Sequence, residues 1–133
     1  METALTLPLL LLVSVSIFEF GRAYQTWQVL TNAAREGARV AVLPSSTVSD
    51  VQARVSAYMQ AGQLPDYANA TIAVDQAQTI NIGTGTASAS LVTVSYPFSF
   101  MVFNPVAKLV VRDSTLGGAI TLTASAEMRN EAQ

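Results

Sequence analysis

The chain has 133 residues, with seven basic and nine acidic side chains, no cysteine and no histidine. Half of it is hydrophobic and only 12% is charged, about half the roughly 25% of soluble domains, which excludes a disordered chain and disfavours an ordinary soluble enzyme. Without thiols or imidazoles there is no disulfide staple, catalytic triad or usual zinc or copper site, and a net charge of −2 offers no basic field to nucleic acid.

Carboxylate-only catalysis remains possible for an enzyme, but structural and interaction roles move ahead. No cofactor, metal or nucleic-acid partner is expected.

The first element is an apolar helix. Residues 3 to 18 carry no charge, and at 1.5 Å per residue they make ~24 Å of helix, short of the ~30 Å hydrocarbon core. Phe20, Gly21 and Ala23 extend the greasy stretch, with Glu19 and Arg22 then inside it at a spacing that allows them to pair on one face. Three readings compete. A secretory signal lacks both its basic start and a small-residue cleavage site. A conventional membrane anchor is marginal in length. A protein–protein helix that rests in the bilayer only before assembly also accounts for the acid at Glu2.

No proline interrupts Glu19 to Leu43. Phe20, Ala23, Trp27, Leu30, Ala34, Gly37 and Ala41 recur at 3-4 spacing, a packing seam. Ala33, Gly37 and Ala41 form a small-residue line that permits close backbone approach. The seam packs on the chain's own domain or between subunits, or on each with a different half. Pro44 stops the helix, giving an expected span of about Thr3 to Leu43, roughly 60 Å.

Thr47 and Asp50 have capping-box spacing. Val48, Val51, Val55, Tyr58 and Met59 recur at helical spacing, and Gly62 ends the pattern, so a second helix over about 48–61 is expected. From Ala70 the period is two, through Ile72 and Val74, with a separate short strand at Thr79–Ile82 and a turn at Gly83-Thr84-Gly85. Alternation returns at Val92, Val94, Tyr96 and Phe98, and again over Ile120, Leu122, Ala124, Ala126 and Met128. Three or four antiparallel strands with one apolar face follow, covered by the helices. Between the last two strands, Phe98 to Val111 is unusually apolar for a connection. It reads as a buried corner with a short helix, or as a loop touching the bilayer or the next subunit. Asn69-Ala70-Thr71 is a glycosylation sequon, a weak signal. The fold class expected is α+β, divided into an apolar segment over 1–22 and a head over 23–133 that includes the second half of the long helix.

Glu2 to Pro8 with its leucine run, Phe18-Glu19-Phe20-Gly21-Arg22-Ala23, and above all Leu30-Thr31-Asn32-Ala33-Ala34-Arg35-Glu36-Gly37-Ala38-Arg39 resemble the TadE-like family of the tight adherence (Tad) pilus system. Weaker echoes are Val94-Ser95-Tyr96-Pro97-Phe98 and Ala124-Ser125-Ala126-Glu127-Met128-Arg129. The resemblance implies a pilin-like subunit, processed by a prepilin peptidase. It is held in the bacterial inner membrane among lipid and assembly machinery, with its head extracytoplasmic. It then self-associates with other pilin-like subunits in an extracellular adhesive filament. The expected assembly residues are Glu2, Leu5, Pro8, Leu9, Leu12, Ile17, Glu19 and Arg22; Trp27, Leu30, Ala33, Ala34, Gly37 and Ala41 are expected to pack the helix on the head. A carboxylate in an apolar bundle needs a cation, and the N-terminal amine of a neighbouring subunit is the expected partner of Glu2. A permanently anchored extracytoplasmic binding or assembly module is the alternative.

Overall fold

A computed structural model describes residues 1–131. The elements in order are α1 (Glu2–Ala41), α2 (Val48–Ala61), a 3-10 turn (Tyr67–Asn69), β1 (Thr71–Asn81), β2 (Thr86–Phe98), α3 (Phe103–Val110) and β3 (Ile120–Arg129). The strands form one antiparallel sheet in the order β1-β2-β3. The layout is α+β. The chain divides into two compact units: Met1–Thr26 with Pro97–Thr121, and Trp27–Tyr96 with the C-terminal segment from Leu122.

The second unit holds the main core. Leu30, Ala33, Ala34, Ala38 and Ala41 of α1 are buried, as are Val51, Val55 and Met59 of α2 and Val92, Val94 and Tyr96 of β2. The small residues of α1 do what their size permits. A Cβ on Gly37 would lie 2.5 Å from Val55 Cγ2 and 3.2 Å from Val92 Cγ1, so only hydrogen fits between helix and core at that point. Ala38, absent from the expected seam, is fully buried. Trp27, expected on the seam, is 41% exposed. The Tyr96 ring is buried, and its hydroxyl accepts the Asp66 N–H at 3.2 Å, so its polar tip is satisfied.

α2 starts at a full capping box. The Thr47 hydroxyl accepts from the Asp50 N–H, and Asp50 accepts from the Thr47 N–H at 2.9 Å. This pairing holds the Asp50 carboxyl below its ordinary range, first through the Thr47 hydroxyl and then through the Thr47 backbone. α1 ends at Ala41 rather than Leu43, and polar side chains close its last turn. The Ala41 carbonyl accepts from Gln76 Nε2 at 3.1 Å and from the Ser90 hydroxyl at 3.3 Å. Asn130 donates to the Gln76 carbonyl and accepts from Ser90. Helix ends leave such carbonyls without helical donors; here the sheet supplies them.

β1 is one strand, not two. Its register against β2 shifts between Asp75 and Gln78, where β1 carries one extra residue, a bulge. Asp75 stabilises it by accepting from the Ala77 N–H at 2.9 Å and from Gln78 Nε2. The turn at Gly83 uses a positive φ of 84°. Ser88 pairs with Asn130 through a 2.9 Å backbone bond, while the hydroxyls of Ser95 and Thr123 lie 3.4 Å apart. Rising numbers on β2 thus meet falling ones on β3, the antiparallel signature.

Candidate functional site

The first unit combines the N-terminal part of α1 with the segment from Pro97 to Thr121. α1 is long and apolar enough to cross a bilayer: its most apolar 18-residue window has mean hydropathy 2.0 and only 6% of it is buried. Leu5, Leu7, Leu9, Leu10, Leu11, Val13 and Ile17 are all exposed, Leu5 by 81% and Ile17 by 71%. At 100° per residue they spread over about two-thirds of the helix circumference, while Pro8, Leu12 and Val15 are half-buried and Glu19 is buried along the remaining strip. A helix with so broad an exposed apolar surface is normally surrounded by apolar material. Three of its hydroxyls are closed off internally. The Thr6 hydroxyl donates to the Glu2 carbonyl at 3.1 Å, Ser14 to Leu10 at 2.9 Å and Ser16 to Leu12 at 2.6 Å. Each hydroxyl thus finds its acceptor without water.

Glu2 is exposed in the first turn of α1, where an acid complements the helix dipole. Leu9 is 56% exposed, and Pro8 and Leu12 are half-buried.

Glu19 differs from the other expected assembly residues. It is fully buried. Its carboxylate accepts from Arg22 Nη1 at 2.9 Å, from the Met101 N–H at 3.2 Å and from the Val102 N–H at 3.1 Å. Arg22 in turn lies over the Phe98 ring, 5.2 Å from its centroid, a cation–π arrangement. Glu19 and Arg22, expected among the assembly residues, pair with each other and bond residues of their own unit. The helix pairing read from their spacing is present; the two backbone donors were not foreseen.

Four aromatic rings surround this clamp. Phe20 lies 6.0 Å from Phe100 and from Phe103, and Phe100 lies 5.2 Å from Phe98. Phe103 opens α3, and the chain returns past it through Gly117, whose φ is +77°. A Cβ there would meet the Asn104 backbone nitrogen at 2.8 Å. Within α3, Val106 and Ala107 are buried, but Leu109 is 73% exposed and Met101, just before the helix, 68%. The corner is only partly a core.

Trp27 apart, the residues expected to pack α1 on the head (Leu30, Ala33, Ala34, Gly37 and Ala41) line the core of the second unit. Asn69 of the sequon is exposed at the end of the 3-10 turn. Among the described residues, no group of three or more Asp or Glu is placed to hold a metal ion.

One bilayer-length apolar helix joined to a small α+β unit is the pattern of a membrane-associated, single-helix protein. Residues 1–39 match the family model described as TadE-like protein, a likeness that covers α1 almost to its end. No curated protein and no solved structure matches the chain. The likeness to the TadE-like family is confined to that N-terminal stretch.

Proposed function

We propose that the protein is a structural subunit, a pilin or pseudopilin, of a Tad-type adhesive filament. It is held in the bacterial inner membrane by the N-terminal part of α1 before assembly and lies in the extracellular filament afterwards. One observation carries this reading: the apolar half of α1 leaves most of its leucines exposed and coincides with the TadE-like match.

The physics of the transfer is favourable. Lipid tails are as apolar as leucine, so exchanging lipid for the like helices of neighbours leaves the burial nearly unchanged. Leu5, Leu9, Leu12 and Ile17 supply contact, and Pro8 fixes the local backbone. Glu2 sets the register, because a carboxylate within an apolar bundle is stable only beside a cation from another subunit. Prepilin peptidase and the inner-membrane assembly machinery are the implied partners, and Asn69 is an accessible glycosylation position.

The test is to shear filaments from the native host and compare them with membrane fractions. The subunit should be present in both. A protein confined to the membrane while filaments form from other subunits would contradict the proposal and identify a permanent anchor.

A further inference from the structure

We propose that Met101–Leu116, held by Glu19, forms an interfacial foot that rests in the outer surface of the phospholipid bilayer crossed by α1. The inference rests on the membrane insertion of α1 and extends it to a second, distant part of the chain.

The observations all lie within the first unit. Glu19 closes the uncharged run of α1, and its carboxylate binds the backbone N–H groups of Met101 and Val102. Those bonds fix the start of the segment at the height on the helix where the run ends. If residues 3–18 lie in hydrocarbon, Met101 and Val102 lie at its edge. The segment is apolar on the outside there: Met101, Val102, Leu109, Val110, Val111 and Leu116 are 42–73% exposed. Solvated loops seldom present so many large apolar side chains together.

Length gives a second argument. The uncharged run is ~24 Å long against ~30 Å of hydrocarbon. Phe18 and Phe20 continue the exposed apolar surface across Glu19, and the carboxylate is fully buried between Arg22 and two backbone donors, so it needs no water. The foot broadens the apolar surface where the helix alone falls short, one way of relieving hydrophobic mismatch. Tyr24, 63% exposed, lies about 7.5 Å further along the axis, in the position of an interfacial aromatic.

Charge supplies the third. Lys108 and Arg112 are exposed beside these apolar residues, and neither forms an ion pair among the described residues. Asp113 is the one acid in the segment. Long basic side chains beside an apolar face suit the headgroup layer, stems in the apolar boundary and cations at phosphate.

The absence of cysteine makes the test direct. Single variants Met101→Cys, Leu109→Cys, Leu10→Cys and Ala53→Cys of the full chain are spin-labelled and reconstituted in vesicles of phosphatidylethanolamine with a minority of phosphatidylglycerol. Label collisions with oxygen, which partitions into lipid, are compared with those of a water-soluble nickel chelate. Leu10 should report deep lipid and Ala53, exposed on α2, should report water. Met101 and Leu109 should report the interface, with oxygen favoured over nickel. Met101 and Leu109 labels as nickel-accessible as Ala53, with Leu10 still in lipid, would overturn the foot and leave the membrane helix standing. A Leu10 label open to nickel would overturn both. Labels at Met101 and Leu109 shielded from both reagents would mean that another protein surface covers the segment, and would also overturn the proposal.

Discussion

Gly37 and Glu19 each tie α1 to another part of its unit, the first by having no side chain and the second by having a charged one. Leucine at position 37 must displace Val55 and Val92, whose methyls already stand 2.5 and 3.2 Å from where its Cβ would be. Overpacking of this kind costs ~1–3 kcal/mol. The helix-propensity gain from losing glycine is at most about 1 kcal/mol, so the clash wins. Gly37→Leu should lower the melting temperature of the detergent-solubilised protein, whereas Gly21→Ala, with nothing within 4 Å of the new Cβ, should leave it nearly unchanged.

Glu19→Ala removes the acceptor of two backbone N–H groups and of Arg22. Loss of one partner of a buried pair costs ~3–5 kcal/mol; Arg22 keeps 29% of its side chain exposed, so the lower end applies here. Glu19→Gln retains an acceptor and should cost less, about 1–2 kcal/mol. Chymotryptic cleavage near Phe100 and Phe103 reads the difference. It should accelerate most in Glu19→Ala, less in Glu19→Gln, with the second unit's core still protected. Equal rates in all three proteins would show that Glu19 does not hold the segment.

Among the elements, those with strong local signals follow the sequence closely. α2 spans the expected residues because its capping box, apolar stripe and stop at Gly62 are all encoded nearby. α1 begins and ends within two residues of expectation for the same reason. β1 does not follow the sequence so simply. Asp75 bonds its own neighbours at the bulge, and Gln76 replaces an apolar residue on the side facing α1. A polar side chain that caps a helix 35 residues away breaks the alternation by which a strand is recognised. The role of Glu19 was hidden for a related reason: its partners are backbone N–H groups, and every residue but proline has one. Its pairing with Arg22 was readable because helix geometry alone brings them together.

Across elements, Glu36 of α1 accepts from Arg54 of α2 at 2.7 Å and from Arg39 at 3.3 Å. The hydrogen bond from Arg54 is the chief reason its carboxyl titrates below the ordinary range, partly opposed by burial. A carboxyl lowered on folding stabilises the fold above its unfolded value, and that contribution is lost as pH falls through the lower folded value. The pair is partly exposed, with 21% of the Glu36 side chain accessible, so its worth is within about 1 kcal/mol. Acid titration of thermal stability should therefore show a small loss below about pH 4, near the unperturbed carboxylate value. Arg54→Met should flatten that loss and leave the neutral-pH melting temperature within a few degrees of wild type.

Under the proposed function, folding and assembly separate along α1. The core of the second unit depends on Leu30, Ala33, Ala34, Gly37 and Ala41, while the leucines before Glu19 contribute little to the chain's own burial. Glu2→Ala leaves the apolar run intact and touches nothing in the core. It should therefore give normal membrane levels and a normal melting temperature but a sheared filament fraction depleted of the subunit; wild-type incorporation would refute its proposed role in register.

The decisive measurement concerns what surrounds those leucines after assembly. A photo-activated phenylalanine analogue at Ile17, 71% exposed, is irradiated in filaments sheared from the native host, and the adducts are mapped by mass spectrometry. Filament assembly through α1 predicts adducts between Ile17 and the N-terminal helix of a second subunit. Recovery of the protein in filaments with adducts only to lipid, or only to surfaces outside α1, would contradict it.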